Sequence, residues 1–278
     1  MSMFKVRSLG VSYGGVHALS DVTLDVAEGQ LVGLIGPNGA GKTTFVDAVS
    51  GLAGARGRVE LDGEDLTGMP AHARARRGLA RTFQSSELFE DLTVAENLRV
   101  TAERPAWLRA FGETFGRRTP PPSAVADALT TVGLQDLADA SPAELSQGQR
   151  KLVGVARALA ARPRVICLDE PAAGLDTTES AELGRRLRAV ADAGTALLLI
   201  DHDMGLVMGI CDHLVVLEFG KVIAAGPPSR VRDDPAVITA YLGASAVQPA
   251  DAPLPDGGTP SSLTTDQPGV PSSAPETA

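Results

Sequence analysis

The sequence is poor in the residue types that mark several functional classes. Aromatic residues make up 4% of the 278 residues, and the chain holds only two cysteines and four histidines. The formal net charge is -9 at pH 7, which argues against a nucleic-acid-binding surface. Cys167 and Cys211 follow apolar segments, so we expect both to be small core residues in a reducing compartment. Histidine is too sparse to predict a metal cluster.

Long apolar runs are also missing. No run approaches the roughly twenty residues that a helix needs to span a bilayer. The first ten residues lack the apolar centre of a signal peptide. We therefore expect a soluble, cytoplasmic chain, long enough to bury one large α/β domain or two small ones.

The C-terminal segment, residues 247–278, contains no Lys or Arg and almost no large apolar side chain. Pro, Ser, Thr, Gly and Asp dominate it, a composition that cannot offset the entropy cost of ordering the chain. We predict one domain over residues 1–246 and a disordered acidic tail after it. Four acidic residues give the tail a charge of -4 out of the total of -9, which leaves -5 for the domain: Asp251, Asp256, Asp266 and Glu276.

A glycine-rich loop is the most informative feature of the chain. An apolar run, residues 31–35, precedes the loop, and a helix-compatible segment, residues 45–50, follows it. This order of strand, loop and helix is the context in which the pattern G-x-x-x-x-G-K-T binds a nucleoside triphosphate. Backbone N–H groups converge on phosphate oxygens, Lys42 reaches the β- and γ-phosphates, and the Thr43 hydroxyl can coordinate Mg²⁺. The predicted binding residues are Gly36, Pro37, Asn38, Gly39, Ala40, Gly41, Lys42, Thr43 and Thr44.

A second apolar run, residues 165–168, ends abruptly in Asp169 and Glu170. Its length and composition predict a buried parallel strand. Because α/β sheets bind ligands at the carboxyl ends of their strands, Asp169 is placed to hold Mg²⁺ and Glu170 to polarise an attacking water. The alternative is a surface turn with two solvated acids.

A third motif comprises Leu145, Ser146, Gln147, Gly148 and Gln149. Ser146 precedes an apolar-periodic segment, which predicts a helix N-cap and places the Gly148 backbone at a positive helix end. This second anion site favours two chains packed head to tail, each nucleotide lying between one phosphate loop and the other chain's helix end. An ordinary capped helix would explain Ser146 but, on this interpretation, not the Gly-Gln that follows.

Together these motifs resemble those of the ATP-binding subunits of ATP-binding cassette (ABC) transporters, over about residues 4–243. The resemblance implies an α/β P-loop NTPase (RecA-like) core with an antiparallel β subdomain and an inserted helical subdomain, at about residues 88–160. It implies ATP as the nucleotide and Mg²⁺ that arrives with it. Residues 145–149 resemble the family signature, whose third position usually holds Gly, so Gln147 is expected to tune the site only.

The same resemblance gives roles to single residues. Tyr13 resembles the aromatic residue that stacks on adenine, and Gln84 the glutamine that contacts Mg²⁺ and the attacking water. Glu170 resembles the catalytic base, His202 the γ-phosphate switch, and Asp176 lies in the loop that crosses the dimer. Each has a plainer interpretation, such as a helix cap for Asp176, but all occur in the family's order and spacing.

The implied partners are transmembrane permease subunits, a second ABC ATPase subunit (identical or homologous) and, indirectly, an extracytoplasmic solute-binding protein. No nucleic acid is expected. The chain is then peripheral on the inner face of the cell membrane. Leu88, Phe89 and Leu92 could seat a permease helix, although such side chains could equally pack inward.

A finer resemblance lies in Arg81-Thr82-Phe83-Gln84 and in residues 92–98, 201–208 and 237–243. These are similar to the ATP-binding subunits of branched-chain amino-acid uptake systems; relatives with this framework also serve urea or other small solutes. The ATPases of lipopolysaccharide export share the run 71–78 but usually lack Arg-Thr-Phe before the glutamine, so uptake is favoured over export. A soluble cassette ATPase of DNA repair or translation is the competing class. Such proteins typically carry coiled-coil insertions, paired cassettes or basic arms, and this sequence shows none of these features.

The sequence also predicts an antiparallel layer of strands and a basic surface. Residues 4–9, 22–26, 58–61, 214–217 and 221–224 are predicted strands of one antiparallel layer beside the parallel core. The basic cluster Arg74, Arg76, Arg77 and Arg81 is predicted to be a solvated helix face, on which the acidic tail could dock.

Overall fold

The computed structural model describes residues 2–82, 88–102 and 123–246 of the chain. The strands are β1 Ser2–Tyr13, β2 Val16–Ala27, β3 Leu31–Ile35, β4 Arg56–Leu61, β5 Glu64–Asp65, β6 Leu79–Thr82, β7 Val165–Asp169, β8 Ala196–Ile200, β9 His213–Glu218 and β10 Lys221–Gly226. The helices are α1 Lys42–Ser50, α2 Ala71–Arg76, α3 Val94–Ala102, α4 Ala124–Val132, α5 Gln147–Ala160, α6 Thr177–Asp192, α7 Met204–Ile210, α8 Pro228–Arg232 and α9 Pro235–Ala246. Short 3₁₀ turns at Gln135–Leu137 and Pro142–Glu144 lead into α5.

A six-stranded sheet forms the centre, in the order β10-β9-β3-β8-β7-β6. All neighbouring pairs are parallel except β9 and β10. Side chains of β3 alternate between two cores: Leu31 and Ile35 face one, Val32 and Leu34 the other. Because both faces are covered, the central strands are continuous apolar runs, and their carboxyl ends converge on one edge.

The strands β9 and β10 correct one expectation. The sequence predicts residues 214–217 and 221–224 as strands of the antiparallel layer, and this prediction is wrong. Both strands belong to the central sheet, in which β9 pairs in parallel with β3. The reason is the connection. β9 follows α7, and a strand reached through a helical crossover joins its sheet in parallel, whereas β10 follows β9 through a tight hairpin and is antiparallel.

The remaining strands form a separate antiparallel sheet in the order β2-β1-β4-β5. Alternate residues of β2 are buried. Together with β1 they pack against α1 and against the face of the central sheet that carries Val32 and Leu34. Phe4 and Phe45 are fully buried in this core. Helices α3, α4 and α5 pack on one another and share the other core through Leu98, Leu129 and Val153. Within the described ranges, no helix has the length and apolar character required to cross a membrane.

The basic cluster is also only partly as expected. Arg76 and Arg77 are exposed, but Arg74 is buried, and its guanidinium donates to the carbonyls of Ala48 (3.0 Å) and Val49 (2.7 Å). These carbonyls end α1 and need donors, so a basic side chain from outside the helix satisfies them. Arg81 is not on a helix face at all; it lies on β6 with its side chain only 10% exposed.

Candidate nucleotide-binding site

The phosphate loop joins β3 to α1 and is shaped by its glycines. Gly41 precedes α1 in a left-handed conformation and caps it without a side-chain hydrogen bond. A Cβ on Gly36 would lie 2.1 Å from the carbonyl oxygen of Leu217, and one on Gly41 2.8 Å from that of Ala18. Only glycine fits at both positions. The loop therefore presents backbone N–H groups at the positive end of a helix, as an anion site requires.

Lys42 is the first residue of α1, and its side chain bends back over the loop. Its Nζ donates to the carbonyl oxygens of Gly36 (2.7 Å) and Pro37 (3.1 Å). Burial lowers the pKa of the Lys42 ammonium, while the nearby carboxylates of Glu170 and Asp169 act in the opposite direction. The cation is thus held between the loop and the two acids, while the neighbouring Thr43 is exposed.

Asp169 and Glu170 lie at the carboxyl end of β7, next to β8 in the sheet. Asp169 is buried, and its Oδ2 accepts a hydrogen bond from Arg81 Nη2 (2.8 Å). Glu170 has a φ of 47°, which is left-handed backbone for a residue with a side chain, and its N–H donates to the carbonyl of Ile200 (2.7 Å). Such strain is typical of functional positions that the surrounding structure holds in place. The prediction of a buried parallel strand is confirmed.

His202 follows β8, and the buried Asp201 organises the turn around it. Asp201 Oδ1 accepts from the N–H groups of His202 (2.8 Å) and Asp203 (3.0 Å), and its Oδ2 from that of Ala172 (3.0 Å). The imidazole itself is exposed, with Nδ1 3.7 Å from Asp201 Oδ1. Sequence reasoning missed Asp201, although an acid directly after a fully apolar strand is the same signal that identified Asp169.

The signature residues begin α5. Ser146 caps the helix by accepting from the Gln149 N–H (3.3 Å), and Gln149 Oε1 accepts in return from the Ser146 N–H (2.8 Å). This capping box contradicts the expectation that an ordinary cap leaves Gln149 unexplained. The Gly148 N–H donates to Glu179 Oε1 on α6 (3.2 Å), so an acidic side chain already occupies the helix end. Leu145 is buried and Gln147 exposed.

The residues assigned to adenine stacking and to the dimer loop are on the surface. Tyr13 ends β1 with 55% of its area exposed, beside the exposed Val16 of the same hairpin. Asp176 is the N-cap of α6, since its Oδ1 accepts from the N–H groups of Thr178 and Glu179 (both 2.8 Å). The plainer interpretation of Asp176 is therefore correct, and it leaves the residue exposed for a second role.

Gln84 and the three apolar residues assigned to the permease contact, Leu88, Phe89 and Leu92, follow β6 in the sequence. Gln84 lies outside the described residues. In the apolar trio, Leu88 is buried in the core while Phe89 is 50% exposed and Leu92 half-buried. The suggestion that all three face a partner is thus wrong for Leu88, which packs inward.

The structure brings together one set of predicted residues. These residues follow the carboxyl ends of three neighbouring strands, where an α/β sheet binds its ligand. Lys42 begins the helix after β3, Asp169 and Glu170 lie at the end of β7, and His202 follows β8. The signature forms a second group with Asp176, since Gly148 is bonded to Glu179 and a Cβ on Gly174 would lie 2.8 Å from Gln147 Nε2.

Comparison with known proteins agrees with this arrangement. The ABC transporter family model matches residues 19–173, and the model of the branched-chain amino acid ATP-binding cassette transporter matches residues 221–247. The high-affinity branched-chain amino acid transport ATP-binding protein BraF of Pseudomonas aeruginosa is 40% identical over 256 residues, covering 87% of this chain and 98% of BraF. The lipopolysaccharide export system ATP-binding protein LptB of Acidithiobacillus ferridurans is 37% identical, covering 87% of this chain and 97% of LptB.

Among solved structures, the ADP conformation of MJ1267, an ATP-binding cassette of an ABC transporter, superposes with a TM-score of 0.75 at 29% identity, covering 87% of this chain and 99% of that one. The fold is that of a P-loop NTPase cassette with its antiparallel β sheet. Fold, motifs and relatives agree, and the chain belongs to the ABC transporter family as an ATP-hydrolysing subunit.

Proposed function

We propose that this ATPase energises the uptake of branched-chain amino acids or a related small solute. The observation that carries the proposal is the 40% identity to BraF along nearly all of that protein. The branched-chain family model adds support, because it matches residues 221–247, which lie outside the phosphate loop and the signature. Lipopolysaccharide export is the second candidate, because LptB is nearly as similar.

In the proposed complex, the phosphates of ATP lie on the loop at residues 36–44 and Tyr13 stacks on adenine. The residues fit Mg²⁺, because the Thr43 hydroxyl and the Asp169 carboxylate offer oxygen ligands, which this ion prefers. Both residues lie beside the loop that would hold the phosphates. When bound, Mg²⁺ supplies charge that offsets the negative γ-phosphate. Gln84 is assigned to the same ion and to the attacking water.

Glu170 is the proposed general base. Its backbone is held by Ile200, so the carboxylate is directed from a fixed point at the strand end. It accepts a proton from water as the water oxygen attacks the γ-phosphorus and the bond to the β-phosphate breaks, releasing ADP. His202 contacts the γ-phosphate, and Asp201 fixes the turn that carries it.

A second ATPase subunit completes the site. Ser146 and Gly148 of one subunit bind the γ-phosphate held by the other, and the loop at Asp176 crosses between them. ATP thus closes the dimer, and hydrolysis opens it because the product phosphate no longer bridges the two faces. Closure drives the permease subunits on the inner face of the membrane, with the exposed Phe89 part of the contact and a solute-binding protein delivering the solute outside.

The test has two arms. The tagged chain is purified from membranes of its native host and the co-purifying proteins are identified. Uptake of labelled leucine is then measured in a deletion strain that expresses wild type or K42A at equal levels. Co-purifying permeases and uptake restored only by wild type support the proposal. Co-purification of lipopolysaccharide-transport components, with leucine uptake unaffected by the deletion, would establish the export alternative.

A further inference from the structure

Arg81 is a basic residue with a largely buried side chain, to which the mechanism above gives no role. It lies on β6, directly opposite Cys167 in the parallel register with β7, two residues before Asp169. Its side chain is 10% exposed, as is that of Asp169. A buried positive charge is stable only when negative groups pair with it. The carboxylates that pair with Arg81 therefore indicate which part of the site it can affect.

The guanidinium joins two carboxylates with the two arms of its fork. Nη2 donates to Asp169 Oδ2 (2.8 Å), and Nη1 donates to Asp47 Oδ1. Asp47 lies on α1, the helix that begins at Lys42. Arg81 therefore links the end of β7 to the helix that follows the phosphate loop, across three elements that are not adjacent in sequence.

This link fixes the rotation of the Asp169 carboxylate. With Oδ2 engaged by Arg81, Oδ1 is the oxygen that Asp169 can offer to a metal. Asp47 and Asp169 both pair with Arg81. The positive charge between them offsets the repulsion between the two carboxylates. Lysine would hold the two carboxylates less precisely, because its ammonium is a compact point charge without the planar fork that fixes the directions of the hydrogen bonds.

We propose that Arg81 is a positioning residue that orients Asp169 toward the nucleotide-bound Mg²⁺ and holds it in register with the phosphate-loop helix. The inference rests on the proposed role of Asp169 as a ligand of that ion. It predicts that Arg81 sets the Mg²⁺ affinity of the ATP-bound protein, beyond any effect on fold stability.

The experiment measures Mg²⁺ binding without turnover. Full-length protein carrying E170Q is held with saturating ATP, Mg²⁺ is titrated, and the unfolding temperature is recorded at each concentration. The readout is the free Mg²⁺ concentration at the midpoint of the stabilisation, after subtraction of the Mg²⁺ that ATP binds in solution. The unfolding temperature without Mg²⁺ reports the fold alone. The variants are R81M, R81K, D47N and D169N, each added to E170Q.

R7M is the matched control. Arg7 likewise uses both arms of its guanidinium, but both contact one carboxylate, Asp25, and the pair lies at the surface of strands β1 and β2, with 41% and 43% of the two side chains exposed. It should leave the midpoint unchanged.

The expected result is a midpoint about tenfold higher in R81M, since partners that orient a metal ligand contribute about 10–100-fold to metal affinity. R81K should recover part of the loss and D47N should show a smaller rise. A midpoint equal to that of the parent in R81M, R81K and D47N, with only the metal-free unfolding temperature lowered, would overturn the inference. If D169N also leaves the midpoint unchanged, it is the assignment of Asp169 that fails. R81K and D47N carry the test should R81M not fold.

Discussion

The carboxylate of Glu179 accepts a hydrogen bond from the backbone N–H of Gly148, at 3.2 Å. An anion thus already occupies the helix end to which we assign the partner subunit's γ-phosphate. For ATP to close the dimer, this contact must give way or share its donor, and the negative charge opposes the incoming phosphate.

Glu179→Gln should therefore favour closure. The amide keeps an oxygen acceptor but removes the charge, so in the E170Q background ATP-driven dimers should form at a roughly threefold lower protein concentration, because a charge at a helix end contributes about 0.3–1 kcal/mol. Light scattering against protein concentration measures this. Glu182→Gln, on the same helix and paired with Arg185, is the control. Dimerisation that is unchanged or weaker in Glu179→Gln would contradict the repulsion argument.

Glu170→Gln should leave ATP binding intact but slow hydrolysis by about a hundredfold or more, the usual contribution of a general base. The amide keeps the shape of the side chain and cannot accept the proton, so the closed dimer should accumulate. Phosphate release from the purified, permease-coupled protein gives the rate, and gel filtration with ATP shows the dimer. Near-normal hydrolysis would exclude Glu170 as the base.

Lys42→Ala and Ser146→Ala should separate the two halves of the composite site. In the proposed site Lys42 belongs to the protomer that holds the phosphates, so its loss should weaken ATP binding by about tenfold or more, as expected for a charge-assisted hydrogen bond. Ser146→Ala should leave that affinity unchanged and impair ATP-driven dimerisation. Calorimetric titration and light scattering distinguish these effects.

Loss of the α5 cap itself costs about 1 kcal/mol of stability, so Ser146→Ala needs a matched control. Ser141→Ala provides one, because Ser141 forms the same kind of capping box on the neighbouring 3₁₀ turn. If Ser146→Ala lost ATP affinity as severely as Lys42→Ala, the two-chain site would be wrong.

Much of the site follows from local pattern. The phosphate loop, β7 and the α5 cap were predictable because each depends on neighbours in sequence: glycines at fixed spacing, an apolar run before acids, and Ser146 before a helix. The capping box has an equally local pattern, Ser-x-x-Gln, at Ser146 and Gln149.

Three of the differences between prediction and structure share one physical cause. The sheet that β9 joins, the burial of Arg74 and the double ion pair of Arg81 depend on partners far away in sequence, such as β3, Ala48 and Asp47. An arginine that satisfies carbonyls or carboxylates in the interior has the same sequence pattern as one on a solvated helix, so composition cannot distinguish them.

The two thiols should be unreactive in the folded protein. Burial raises the pKa of Cys167 to about 12, from an ordinary 9.0, and that of Cys211 likewise to about 12. At pH 8 the native protein should therefore react with iodoacetamide at least about a hundredfold more slowly than the urea-unfolded chain, since the thiolate is the nucleophile. Because folding raises these pKa values, their contribution to stability is complete below about pH 9 and is lost toward pH 12. Rapid labelling of Cys167 without denaturant, read by mass spectrometry, would contradict its burial.

Removal of residues 247–278 should leave folding, nucleotide binding and hydrolysis nearly unchanged. The segment lies outside the described residues, but its sequence offers little apolar area, and every assigned catalytic residue precedes it. The opposing hypothesis is an acidic tail that restrains the ATPase by docking on the basic cluster. This cluster offers the tail little free charge, because Arg74 and Arg81 are engaged internally. Of the two exposed members, Arg76 and Arg77, the second is already paired with Glu64. Hydrolysis rates and unfolding temperatures of full-length and truncated protein, at low and high salt, decide between them. If the two proteins hydrolyse ATP at equal rates at both salt concentrations, the tail has no effect on the motor. A truncated protein that is faster than the full-length protein at low salt but not at high salt would establish autoinhibition, because salt screens the electrostatic contact.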